Sequence, residues 1–161
     1  VPLRRDARAR LARATLPAAA LAAAALAAVV LAACTGGRRE AGACDLGQGP
    51  CTGASEGIDV RLELSPRPLR SLRDLEVAAV VTRGGAPVEG ADVRVELSMP
   101  GMYMGENRVA LAPLGGGRYR GRSVLVRCAS GRRDWVAEVA LRLPGEAAAA
   151  SRVRFPFEVA E

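Results

Sequence analysis

The residues best suited to chemistry are three methionines gathered in Ser98-Met99-Pro100-Gly101-Met102-Tyr103-Met104-Gly105. They are all the methionine of a chain that contains no histidine. Thioether sulfur is a soft, polarizable donor that suits Cu(I) and serves hard cations poorly. In the absence of imidazole, such a cluster is one of few ways to hold a transition metal. Met99, Met102 and Met104 are therefore candidate ligands for Cu(I). The competing reading is that the same side chains only fill a strand end and a loop.

The same composition removes most catalytic machinery. Every basic residue is arginine, so lysine is missing as well as histidine. That excludes a Ser-His-Asp or Cys-His arrangement, a His-ligated zinc, a lysine Schiff base and a P-loop lysine. Asp59, Glu63, Asp92 and Glu96 alternate with apolar residues, which assigns them to solvated strand faces rather than to an acid–base pair in a cleft. The chain reads as a non-enzyme.

Residues 1–33 carry an export signal. Arg4, Arg5, Arg8, Arg10 and Arg13 precede an apolar run that ends in Leu31-Ala32-Ala33-Cys34. A basic start, an apolar stretch and small residues before a cysteine resemble a bacterial lipoprotein signal, with Cys34 lipidated as the first residue after cleavage. A transmembrane anchor is the alternative, but a spanning helix needs no cysteine there. Removing the leader takes away five arginines and Asp6, leaving 23 − 5 = 18 basic and 17 − 1 = 16 acidic side chains. A net charge of +2 gives no support to a nucleic-acid partner. The expected location is the cell envelope, lipid-anchored, with Thr35 fitting the outer membrane facing the periplasm in a Gram-negative cell.

Three further cysteines, Cys44, Cys51 and Cys128, lie beyond the leader. Outside the cytoplasm an odd set gives one disulfide and one thiol. A bridge from Cys51 to Cys128 would close the longer loop and constrain the unfolded chain more than Cys44–Cys51, so it is the expected pairing, although spacing alone does not fix connectivity. If Cys44 and Cys51 pair instead, Cys128 becomes a further metal ligand.

The elements that must position these residues are strands. Residues 34–57 are rich in Gly, Ser, Thr and charge and read as a lipidated tether; the domain is expected over 58–161. Ile58-Val60-Leu62-Leu64, Leu75-Val77-Ala79-Val81 and Val93-Val95-Leu97-Met99 alternate with polar residues, the period of a half-buried strand. Val109-Leu111, Tyr119–Val126, Trp135–Leu143 and Val153–Val159 continue the series, with Pro156 marking an edge. About seven strands without a helical pattern predict a single immunoglobulin-like antiparallel β-sandwich. The periodicity puts Met99 in the core and leaves Met102 and Met104 as an exposed pair flanking Tyr103, whose ring would shield a bound ion.

Met99 to Arg108 (Met-Pro-Gly-Met-x-Met-Gly-x-Asn-Arg), Gly117-Arg118-Tyr119 and Gly131-Arg132-Arg133-Asp134-Trp135 together resemble the YtkA-like family, exported β-sandwich domains related to the FixH-type proteins. Cys44 to Cys51 and Val126-Arg127-Cys128 are similar to a lipoprotein branch of that family. The resemblance spans Cys44 to Val159. It implies copper handling in the periplasm, with a copper-handling or oxidase-assembly protein as partner in cytochrome oxidase maturation. The alternative function is a metal-free envelope domain that holds a protein partner through its loops or an edge strand.

Overall fold

Alternation of apolar and polar residues turns into nine strands in a computed structural model that describes residues 44–146 and 151–160. The strands are β1 (Cys51–Ser55), β2 (Ile58–Ser65), β3 (Asp74–Arg83), β4 (Ala86–Pro87), β5 (Asp92–Ser98), β6 (Arg108–Gly115), β7 (Arg118–Val124), β8 (Asp134–Arg142) and β9 (Ser151–Glu158). All named pairings are antiparallel, in the order β1-β2-β3-β7-β6-β5-β8-β9 with β4 on β3. No helix occurs among the described residues, and so none there is long and apolar enough to cross a membrane.

Strand β6 joins the two layers. Its first half pairs with β5 through Val93↔Leu111 and Val95↔Val109, and its second half pairs with β7 through Ala112↔Arg120. The layers are thus β2-β3-β7-β6 and β5-β8-β9, the A-B-E-D and C-F-G arrangement of an immunoglobulin-like sandwich. Inward residues of both layers form one core, including Val60, Leu62, Val77, Val95, Tyr119, Trp135 and Phe155. Trp135 and Phe157 stack with centroids 6.4 Å apart. The acidic residues expected on outer faces sit there: Asp92 pairs with Arg94 and Arg142, Glu96 with Arg108, and Glu63 with Arg67. Pro156 lies on terminal strand β9, as its missing N–H requires.

The domain starts earlier than the composition indicated. Of the stretch assigned to a tether, residues 44–57 are folded: Leu46 is fully buried, its N–H donates to the Pro156 carbonyl, and β1 pairs with β2 from Cys51↔Leu62 to Ser55↔Ile58. Strand β1 has no apolar pattern because its inward face is crowded. A Cβ on Gly53 would lie 2.5 Å from Val153 Cγ1, so only glycine fits where β1 crosses β9. The expected signal segment 1–33, the lipidation candidate Cys34 and the rest of the expected tether lie outside the described residues.

Tyr119 ties the layers together. Its buried hydroxyl donates to the Val88 carbonyl at 2.8 Å and accepts the Ala91 N–H at 3.1 Å. Two residues earlier, Gly117 (φ 68°) passes so close to β3 that a Cβ would meet the Val81 carbonyl oxygen at 2.5 Å. The Gly-x-Tyr signature is therefore a packing device.

Candidate metal centre

The methionines occupy the β5–β6 connection, and local chemistry shapes it. Pro100 at the second and Gly101 at the third position of a turn, with Gly101 at φ 71°, give a type II pattern. The Met102 N–H donates to the Met99 carbonyl at 3.2 Å, and the two residues form an antiparallel bridge. Bridge partners project to one face of the ribbon, and Met104, two residues on, returns to that face. The exposures follow this alternation: Met99 is buried, Met102 and Met104 are half-buried against the core, and Tyr103 is 85% exposed.

Two expectations change here. Met102 and Met104 are not an exposed pair, because the turn folds them back onto the core. Tyr103 does not shield them, since its ring points to solvent. Met99 is buried as its strand period required.

The far end of the loop is pinned by Asn107. Its backbone carbonyl accepts the Leu97 N–H, its amide donates to the Val124 carbonyl at 2.9 Å, and it accepts the Ser123 hydroxyl at 2.7 Å. These bonds hold the methionine loop beside the β7–β8 connection, which carries Cys128.

Among the described residues Cys44 and Cys51 form a disulfide, and Cys128 is free and buried. The expected Cys51–Cys128 bridge is thus corrected: Cys51, at the start of β1, is partnered by Cys44 across the short turn before it, with Cα atoms 5.8 Å apart. The Cys128 sulfur lies 3.4 Å from Met102 Sδ and 3.0 Å from Ser130 Oγ. As a thiol it donates to the thioether; as a thiolate it accepts from the Ser130 hydroxyl. That hydroxyl, followed by the Ser130 backbone N–H, holds the Cys128 thiol below the ordinary cysteine range. Burial opposes the shift, and the Arg132 backbone N–H and charge add to it. Arg132 itself is held by Asp134, whose carboxyl the Arg132 hydrogen bond keeps below the usual carboxylate range.

The donor set suits a soft ion. Two sulfurs bound to one metal by bonds of about 2.3 Å can be no more than about 4.6 Å apart, and the Cys128–Met102 separation of 3.4 Å lies within that limit. Among the described residues no group of three His, Cys, Asp or Glu side chains converges as a metal site, so the donors brought together here are thioether and thiol. Sequence reasoning missed Ser130, which the short Cys128-Ala129-Ser130 spacing could have suggested; Asn107 stands in the loop signature, but the signature gave it no role.

An antiparallel sandwich with a methionine loop at one end is the class of domain that these observations define. Residues 52–126 match the model of the YtkA-like family, so the chain carries a YtkA-like domain. No curated protein and no solved structure matches the chain. The matched segment contains the methionine loop and Gly117-Arg118-Tyr119 and ends two residues before Cys128. Contact between Cys128 and Met102 is therefore an observation of this structure, independent of the family match.

Proposed function

We propose that this chain is a membrane-tethered lipoprotein of the lipoprotein branch of the family, held in the cell envelope through Cys34, that binds or delivers Cu(I) through its methionine loop during cytochrome oxidase maturation. The observation that carries the reading is the 3.4 Å contact of Cys128 Sγ with Met102 Sδ. Met102 and Cys128 would supply the first two donors, and Met104 and Met99, packed against the core from the same loop, are the candidates for a third. A thiol held low in pKa gives up its proton to a metal at lower pH. Thioether donors match a cuprous ion better than zinc or iron. The partner this reading implies is a copper-handling or oxidase-assembly protein that meets the loop at its exposed tip.

Anaerobic competition for Cu(I) against a chromogenic chelator tests the proposal. The chain takes up Cu(I), and Met102→Leu with Met104→Leu abolishes uptake; unchanged uptake in the double variant would sink the assignment. A second reading, a metal-free envelope interaction domain, is favoured by Tyr103, whose 85% exposed ring is a typical partner anchor. It predicts capture of an envelope partner that survives both methionine changes and fails in Tyr103→Ala.

A further inference from the structure

On the side of Cys128 that faces solvent is a cavity of about 440 Å3 to which five arginines contribute: Arg70, Arg73, Arg127, Arg132 and Arg133. Among the described residues no carboxylate lines it. The arginines come from separate stretches of chain, and the backbone stitches those stretches into one frame. Ala160 N–H donates to the Leu69 carbonyl at 2.8 Å, Val159 N–H to Arg133 at 3.0 Å, and Leu72 N–H to Leu125 at 2.7 Å. The chain passes through Leu72 at φ 59°, a left-handed conformation that a branched apolar residue adopts at a cost. That turn leaves Leu72 60% exposed while Ser71 and Arg73 on either side line the cavity.

Like charges gathered around one hollow repel, and salt and solvent relieve this only in part. Arg132 is compensated by Asp134, and Arg70 and Arg133 have partners of their own. Arg73 and Arg127 make no ion pair among the described residues and border the cavity directly. Guanidinium groups present planar, paired donors matched to carboxylate and phosphate oxygens. The volume is that of a small-ligand site, and a lining that includes Ser71 as well as the arginines suits an oxygen-rich guest.

We propose that this cavity is a binding site for a small multivalent oxyanion, with Arg73 and Arg127 as its principal ligands. The phosphate chemistry it recognises can come from a free anion or from an anionic lipid headgroup at the membrane surface. The site does not rest on the copper reading: of the residues assigned to the copper only Cys128 borders the cavity, and it is not one of the proposed anion ligands.

Isothermal titration of the full chain in uncharged detergent tests it, first with inorganic pyrophosphate and then with the same micelles doped with phosphatidylglycerol. Saturable pyrophosphate binding that weakens about tenfold or more in Arg73→Gln/Arg127→Gln supports the proposal with a free anion as the source. Saturation with phosphatidylglycerol alone, lost in the same variant, supports it with the headgroup as the source. Absence of saturation in both arms, or affinity unchanged in the double variant, overturns it. Arg127→Lys, which keeps the charge and loses the paired donors, separates loss of recognition from loss of fold and binds with intermediate affinity. Met102→Leu leaves anion binding unchanged, so failure of the copper reading and failure of this one are distinguishable.

Discussion

Tyr119→Phe removes one oxygen from the middle of the domain and leaves the ring buried, so no apolar burial is lost. What disappears is a hydrogen bond to the Val88 carbonyl at 2.8 Å and one from the Ala91 N–H at 3.1 Å. Each such bond contributes about 1 kcal/mol net, and a buried backbone group left without a partner costs about 1–3 kcal/mol. The expected destabilisation is about 2–3 kcal/mol, since water can reach part of the Val88–Ala91 segment. For a domain of this size that corresponds to a fall in Tm of roughly 8–15 °C. Urea unfolding followed by the fluorescence of Trp135, the chain's one tryptophan, measures it directly. A loss below about 0.5 kcal/mol, with unchanged m, would show that the hydroxyl does not hold the β4–β5 segment and would refute the packing explanation of Gly-x-Tyr. Cu(I) uptake should be the same in the variant and the parent, because Tyr119 touches none of the sulfur donors.

Other consequences follow from single groups. Alkylation of Cys128 by iodoacetamide should rise with pH about a midpoint below the ordinary thiol value of 9.0, and Ser130→Ala should move that midpoint upward; an unmoved midpoint would remove Ser130 as the cause. Asp92 is held below its ordinary 3.8, first by the Arg94 hydrogen bond and then by Arg142. Because the folded value is the lower one, its contribution to stability is present above the unfolded pKa and fades as pH falls through the folded value. An NMR titration should give Asp92 a midpoint under 3.8 that rises in Arg94→Gln. Asn107→Ala, which frees Val124 O and Ser123 Oγ, should cost about 1–2 kcal/mol and weaken Cu(I) uptake without touching a sulfur; unaltered uptake would mean that the loop needs no pin.

Much of the fold was legible because each main strand buries one face. Val93, Val95, Leu97 and Met99 alternate in sequence and are all buried. Strand β1 was invisible for a physical reason: its inward residues are Cys51, Gly53 and Ser55, small because Val153 and Phe155 fill the space. Leu46, a single apolar residue among turn formers, gave no period to read. The methionine loop was legible as chemistry but not as geometry. Pro100-Gly101 marked the turn, yet only the bridge between Met99 and Met102 shows that it folds the sulfurs inward and leaves Tyr103 outside. Disulfide pairing and the arginine cavity both depend on which segments meet in space, and spacing along the chain carries no such information.

The central claim is that Met102 and Cys128 act together as soft ligands, and X-ray absorption of the Cu(I)-loaded chain at the copper edge tests it most directly. The account predicts a first shell of sulfur only, from which Cys128→Ser and Met102→Leu each remove a scatterer. A shell of nitrogen or oxygen, or a sulfur shell that survives both substitutions, would contradict it.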